Sequence, residues 1–332
     1  MSPNTLKPGY DAELHEVLKQ FPSMDGFDHE VLKSQRPLLA ITPDVAIPDP
    51  SISHEEVSIP GPGGQIKISV LRSRVSAGGA RPAVLYLHGG GMVLGNQLLS
   101  ISLMLEWVKQ LDAVVFSVDY RLAPEHPAPA ALDDCYASLE HISKNAAALG
   151  IDPEKIMIAG SSAGGGLSAG VSIMARDRNG PKLLAQCLIY PMLDDRMGTV
   201  SSSQFFNEGT WTGKSNLAAW DMYLSGRRGK AGVSLAAAPG RATAEQLRGL
   251  PPAWVDVGSA ELFRDEDVGY ANKLWEAGVQ VELHVWPGAW HSFDMLAPQA
   301  EVSKVCLETR LQWAKRIFAA GPEPPKVIPA VL

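Results

Sequence analysis

Apolar residues in this chain come in short runs separated by longer stretches of helical spacing. Six runs stand out, at 83–87, 113–118, 155–159, 185–190, 253–257 and 281–286. Short, mainly apolar runs of this length, bounded by turn residues, predict strands of a covered sheet. Between them, apolar positions fall on one helical face at 98–111, 128–149, 162–178 and 265–278, and again at 300–318. Strands and helices in alternation predict parallel βαβ units, hence an α/β fold with a mostly parallel central sheet and helices on both faces. Ahead of these, residues 57–59 and 65–71 alternate apolar and polar around Pro60-Gly61-Pro62-Gly63-Gly64. That pattern predicts an antiparallel hairpin at one sheet edge. The strand at 281–286 is expected at the other edge, where it is free to pair across a homodimer.

Two stretches break the alternation. The first fifty residues lack strand character. Helices are expected at 12–20, with Leu14, Val17 and Leu18 on one face, and at 29–36. Prolines 37, 43, 48 and 50 then predict an extended linker. The second stretch, 194–250, carries Trp211, Trp220 and Tyr223 and is too long for an ordinary loop. It is expected to be helical and to lie outside the sheet. The resulting division is an N-terminal cap segment (1–50), a core (51–193 and 251–320) and a cap insertion (194–250). A proline-rich tail occupies 321–329.

Composition narrows the class without naming a chemistry. At 332 residues, 45% hydrophobic and 20% charged, the chain can build a large core as one α/β unit with insertions. Its net charge of −7 gives no support for binding nucleic acid or an anionic membrane. No stretch of about 18 uninterrupted apolar residues is present, so no membrane span is expected. Residues 1–10 are polar and carry no apolar leader segment. Cys135, Cys187 and Cys306 are odd in number and widely spaced, unlike a disulfide framework or a zinc site. A cytoplasmic protein without a metal site is the expectation.

The chemistry lies at the ends of the predicted strands. Gly160-Ser161-Ser162-Ala163-Gly164 fits G-x-S-x-G, after the run at 155–159 and before the helix at 162–178. His88-Gly89-Gly90-Gly91 directly follows the run at 83–87. A serine on a sharp strand-to-helix turn, paired with an HGGG loop, is the arrangement of α/β-hydrolase esterases and lipases. The glycine spacing puts Ser162, not Ser161, at the turn. A serine hydroxyl needs a base, and the base needs a third group to fix its tautomer. In this fold class the chain order is Ser, acid, His. His291 follows the last predicted strand. Glu261 and Asp265 both follow the run at 253–257. The oxyanion formed in attack needs backbone donors, one from Ala163 and others from the glycine loop. Gly209-Thr210-Trp211-Thr212-Gly213-Lys214-Ser215 has the look of a phosphate loop, but it has the wrong glycine spacing and no strand before it.

Taken together, HGGG at 88–91, Asp119-Tyr120-Arg121-Leu122-Ala123-Pro124-Glu125, G-x-S-x-G at 160–164 and the Trp-His-Ser-Phe around His291 resemble the bacterial hormone-sensitive-lipase family of esterases. The resemblance implies an α/β-hydrolase core under a helical cap and hydrolysis of small-molecule esters of short and medium acyl chains without a cofactor. It implies Ser162 as nucleophile, His291 as base, and Gly90, Gly91 and Ala163 as oxyanion donors. The family's acid position is occupied here by Glu261, where Asp is usual. Ser161 stands where Asp or Thr is common, and Met92 where an aromatic is frequent. Met92 and Trp211 are candidate substrate-pocket residues. An amidase or deacetylase of acetylated small molecules would use the same residues, and a non-catalytic binding protein can share the scaffold.

Overall fold

The computed structural model of the chain describes residues 6–21, 26–39, 41–76 and 78–321. The tail read as proline-rich lies, beyond Gly321, outside the described residues. Three helices come first: α1 (Ala12–Leu18), α2 (His29–Gln35) and α3 (Pro43–Ala46). The side chains of Asp11 and Asp28 accept the N–H groups of Leu14 and Val31 and so cap α1 and α2. The expected extended linker is in part helical. A 3-10 turn spans Arg36–Leu39, and Pro43 opens α3, where a proline costs no hydrogen bond.

The hairpin β1 (Ile52–Gly61) and β2 (Gly64–Ser73) follows, then β3 (Arg81–Leu87), α4 (Leu105–Gln110) and β4 (Val114–Asp119). Next come α5 (Ala130–Lys144), α6 (Ala146–Leu149), β5 (Ile151–Ser161), α7 (Ala163–Asp177) and β6 (Ala185–Ile189). After α8 (Val200–Gln204) and α9 (Gly213–Tyr223) the chain re-enters the sheet at β7 (Ala253–Gly258). It ends with α10 (Arg264–Glu276), β8 (Val281–Trp286), α11 (Phe293–Leu296) and α12 (Glu301–Ala320). The helix expected at 98–111 is shortened to a 3-10 turn and α4, because Ser100 adopts a left-handed conformation with φ of 62°. The helix expected at 128–149 divides at Asn145, whose side-chain amide bonds the carbonyl of His141 at 2.8 Å.

All eight strands form one sheet in the order β1-β2-β4-β3-β5-β6-β7-β8. The two pairings of β2 are antiparallel and the other five are parallel. Each residue of β6 and β7 is buried, as expected of strands covered on both faces. The edge strand β8 has a mixed pattern, and Val285 on it is 42% exposed. Strand order reverses at β3, which lies between β4 and β5. Open α/β sheets place ligands outside the carboxyl ends of strands at such a switch. Here Leu87 pairs with Gly160, so the glycine loop after β3 and the turn after β5 emerge side by side. Gly258 pairs with Trp286, which brings the loops after β7 and β8 together next to them.

The 194–250 stretch contains α8, α9 and 3-10 turns at Pro239–Arg241 and Glu245–Leu247, with no strand among the described residues. Its halves differ. The second is stapled to the flank of the sheet. Arg176 of α7 donates to the carbonyls of Gln246 and Arg248 at 2.7 Å, and Arg241 ties this half back to the buried Asp195 at the start of the stretch at 2.6 Å. The first half faces the ends of the strands.

Candidate active site

β5 runs straight into α7 through Ser162, whose φ of 56° and ψ of −119° are strained for a residue with a side chain. The turn closes because Gly164 has no Cβ: one there would sit 1.9 Å from the carbonyl oxygen of Leu87. Ser162 N–H donates to Ile189 O at 2.9 Å, and its own carbonyl accepts from Met192 N–H at 2.9 Å. The hydroxyl is thus held by main-chain bonds on both sides of its residue. It is 5% exposed.

The imidazole of His291 arrives from the loop after β8. His291 Nε2 lies 2.9 Å from Ser162 Oγ, and Nδ1 lies 2.6 Å from Glu261 Oε2. The other carboxylate oxygen of Glu261 accepts the Gly258 N–H at 3.0 Å. With Nδ1 donating to a carboxylate, Nε2 is left as an acceptor facing the Ser162 hydroxyl. Rings of Tyr190 and Phe263 stand perpendicular to the imidazole, at centroid distances of 4.9 and 5.1 Å. The loop is fixed from outside as well: Thr210 Oγ1 donates to His291 O at 2.5 Å, and Trp290 Nε1 to Leu14 O at 2.9 Å.

Asp265, the other acid candidate, is engaged elsewhere. Its carboxylate accepts Ser201 N–H at 2.7 Å and pairs with Arg264, so it ties α8 to α10. Asp265 also lies in the first turn of α10, which begins at Arg264. Arg264 holds its carboxyl below the ordinary range, against an opposing effect of burial. The next residue, Glu266, is buried and accepts Leu193 N–H at 2.8 Å, and burial pushes its carboxyl well up.

The glycine loop lies against this group. Gly90 has φ of 102°, and a Cβ there would meet the carbonyl oxygen of Leu94 at 2.2 Å. His88 braces the loop: Nδ1 donates to Gly89 O at 2.7 Å, and the Tyr120 ring stacks on the imidazole at 4.1 Å. Burial lowers the pKa of His88 to about 4, so it stays neutral. Arg36 fastens the far side, donating to Val93 O at 2.8 Å and Ala123 O at 2.6 Å while pairing with Glu125. No motif marked Arg36, because its partners lie far along the chain.

A cavity of about 130 Å³ opens over Ser162. Gly89 and Gly90 line it together with Ser162, His291 and Trp211, and its apolar wall includes Leu94, Leu99 and Met295. Gly91 sits behind this lining, against the Trp211 ring. Of the two sequence-predicted pocket residues, Trp211 is placed on the cavity and Met92 is not. Met92 is 1% exposed, and its carbonyl accepts from Ala123 N–H at 2.9 Å. Leu99 and Ser100, nine and ten positions beyond Gly90, had no sequence signal; their place depends on the left-handed turn at Ser100. A hydroxyl, an imidazole and a carboxylate in line, beside a glycine loop and under apolar walls, can carry out nucleophilic acyl transfer.

Known proteins agree on the chemistry. A family described as having the alpha/beta hydrolase fold matches residues 84–295. The carboxylesterase NlhH of Mycobacterium tuberculosis is 34% identical over 315 residues, covering 90% of this chain and 94% of its own. The esterase LipI of the same organism is 33% identical over 281 residues, covering 84% of this chain and 86% of its own. Among solved structures, a bacterial heroin esterase superposes with a TM-score of 0.85 at 35% identity, covering 93% of this chain and 98% of that one. A Pyrobaculum calidifontis esterase gives 0.81 at 34% identity, covering 94% and 99%.

Proposed function

The chain belongs to the hormone-sensitive-lipase family of α/β-hydrolase esterases and is a carboxylic ester hydrolase, and from this premise we propose that it cleaves short- to medium-chain carboxylic esters with Ser162, His291 and Glu261 as its triad. The observation that carries the reading is the unbroken line from Ser162 Oγ through the imidazole to Glu261 Oε2, at 2.9 and 2.6 Å, at the wall of the small cavity.

Ser162 Oγ attacks the ester carbonyl carbon while its proton passes to His291 Nε2. The carbonyl oxygen becomes an oxyanion, held by the N–H groups of Gly90, Gly91 and Ala163. His291 then gives its proton to the departing alkoxide, and an acyl-serine remains. Water attacks that ester with His291 again as base; the acyl carbon–Oγ bond breaks, His291 returns the proton to Ser162 Oγ, and the carboxylic acid leaves. Glu261 keeps Nδ1 protonated and stabilises the imidazolium in both half-reactions.

Size selection rests on the roof. Thr210 and Trp211 of the 194–250 insertion line the cavity, and Phe27 of the N-terminal segment packs on Trp211 at 5.8 Å. These contacts support reading both segments as a cap. A cavity of about 130 Å³ is small beside the roughly 300–1,000 Å³ of sites for drug-sized ligands, which favours acyl chains of about two to eight carbons. A panel of p-nitrophenyl esters from two to sixteen carbons tests this. The rate should peak in the short range; faster turnover of the sixteen-carbon than of the four-carbon ester would refute it.

Two further assignments belong to the same reading. The open edge of β8, with Val285 exposed, is suited to pairing with a second copy, and light scattering in solution would show a homodimer. No helix among the described residues is long and apolar enough to cross a membrane. Three buried free thiols fit a cytoplasmic enzyme in a reducing compartment.

A further inference from the structure

Behind His291 lies a group of charges that the hydrolysis does not use. Arg310 of α12 is 1% exposed and lies between two buried aspartates. Its Nη2 donates to Asp256 Oδ2 at 2.5 Å. Its Nη1 lies 2.9 Å from Asp294 Oδ2, a close ion pair outside hydrogen-bond geometry. Asp294 Oδ1 accepts the phenol of Tyr190 at 3.0 Å. Tyr190 N–H donates to Asp256 O at 2.7 Å. These contacts close a circuit, Asp256 to Tyr190 to Asp294 to Arg310 and back to Asp256. Trp286 Nε1 joins it, donating to Asp256 Oδ2 at 3.2 Å.

The circuit crosses the structure where the site is assembled. Asp256 is near the end of β7, ahead of Glu261. Tyr190 follows β6 and packs its ring on His291. Asp294 is three residues beyond His291, in the four-residue helix α11. Arg310 belongs to α12, which covers the sheet. Burying three charges together is a poor route to stability, since apolar side chains of the same volume often serve as well. What buried ion networks supply best is register. Register is at stake here: Ser292 is left-handed at φ of 66°, Tyr190 has φ of 35°, and α11 is too short to hold itself.

We propose that the Asp256–Arg310–Asp294 network, acting through Tyr190, is a positioning device that keeps the His291 ring in line between Ser162 and Glu261. The proposal rests on His291 being the base. It makes Tyr190, Asp294 and Arg310 positioning residues, none of which touches the ester.

The test uses Tyr190→Phe, which removes one oxygen and keeps the ring, Asp294→Asn, which keeps the shape and removes the charge, and the double variant. Each is assayed on a four-carbon ester, with folded sites counted by covalent phosphonate titration and thermal stability measured alongside. A displacement of roughly 1 Å costs a catalytic group about a hundredfold, so the roughly half-ångström shift expected of each single change should lower kcat per titrated site about tenfold. KM should stay within about twofold, because ground-state binding is untouched. The double variant should lose little more than the worse single, as expected of residues on one path. Unchanged kcat per site in both single variants, with only stability lowered, would overturn the proposal and leave the network structural. His291→Ala runs in parallel. If it is inactive while both network variants keep wild-type kcat, the positioning role alone fails; if it retains activity, the reading of His291 as base fails.

Discussion

Two cavities among the described residues have opposite character. The one over Ser162 is about 130 Å³ and is ringed by glycines, serines and an imidazole. The other is about 550 Å³ and lies where the strands begin, lined by Leu183, Leu184, Leu250 and Ile317 among others. α7 connects them, with Ser162 before its first residue and Arg176 near its last. Size favours the second cavity and chemistry the first. In the larger one Arg176 is already spent on Asp177 and on the carbonyls of Gln246 and Arg248. In the smaller one the polar groups converge from four strand ends at the switch of strand order. Convergence of polar groups, not volume, marks the site where this fold does chemistry.

That contrast breaks most sharply at the acid. Glu261→Gln keeps the shape at the small cavity and removes the charge that orients His291. An equivalent change in a serine protease costs about 10⁴ in kcat; here a loss of at least about a hundredfold is expected. Asp265→Asn, which loosens α8 from α10, should lower the melting temperature and leave most of kcat. The reverse outcome, a dead Asp265→Asn and an active Glu261→Gln, would exchange the two roles.

A smaller effect is expected from the roof. Trp211→Ala should open the small cavity upward. The rate on eight- to twelve-carbon esters, relative to the four-carbon ester, should rise about tenfold, the order that pocket contacts of one or two methylenes command. An unchanged chain-length profile would remove Trp211 from the pocket. The smallest kinetic effect belongs to the large cavity. Leu184→Ala there should cost about 2–5 kcal/mol of stability, as buried leucine truncations do. It should leave kcat/KM per folded enzyme as it was; a kinetic change would mean that the two ends of α7 communicate.

What the sequence disclosed follows the range of the interactions. Strands β3 to β8 were legible because each holds a short, mainly apolar segment, alternating with polar residues in β8. The pairing of glycine loop and serine turn was legible because each is a local motif tied to a strand end. Glu261 was visible as a candidate by position, but only the fold separates it from Asp265, by sending the one to His291 and the other to Ser201. The 43–50 region was misread because its prolines were taken as breakers, while Pro43 starts a helix. Met92 was misplaced because adjacency to the glycine loop does not fix direction: its φ of 60° accompanies a buried position. Arg36, Tyr190 and Arg310 left no trace at all. Arg36 and Tyr190 meet partners more than fifty residues away, and Arg310 meets Asp256 54 residues away, contacts that no local pattern encodes.

The central claim is that Ser162 is the acylated residue, and covalent labelling tests it most directly. A p-nitrophenyl phosphonate should release one nitrophenol per chain and abolish ester hydrolysis in proportion. Mass spectrometry should place the adduct on Ser162, and Ser162→Ala, folded as before, should take up no label and turn over no ester. An adduct on Ser161, or near-normal turnover by Ser162→Ala with native secondary structure, would contradict the account.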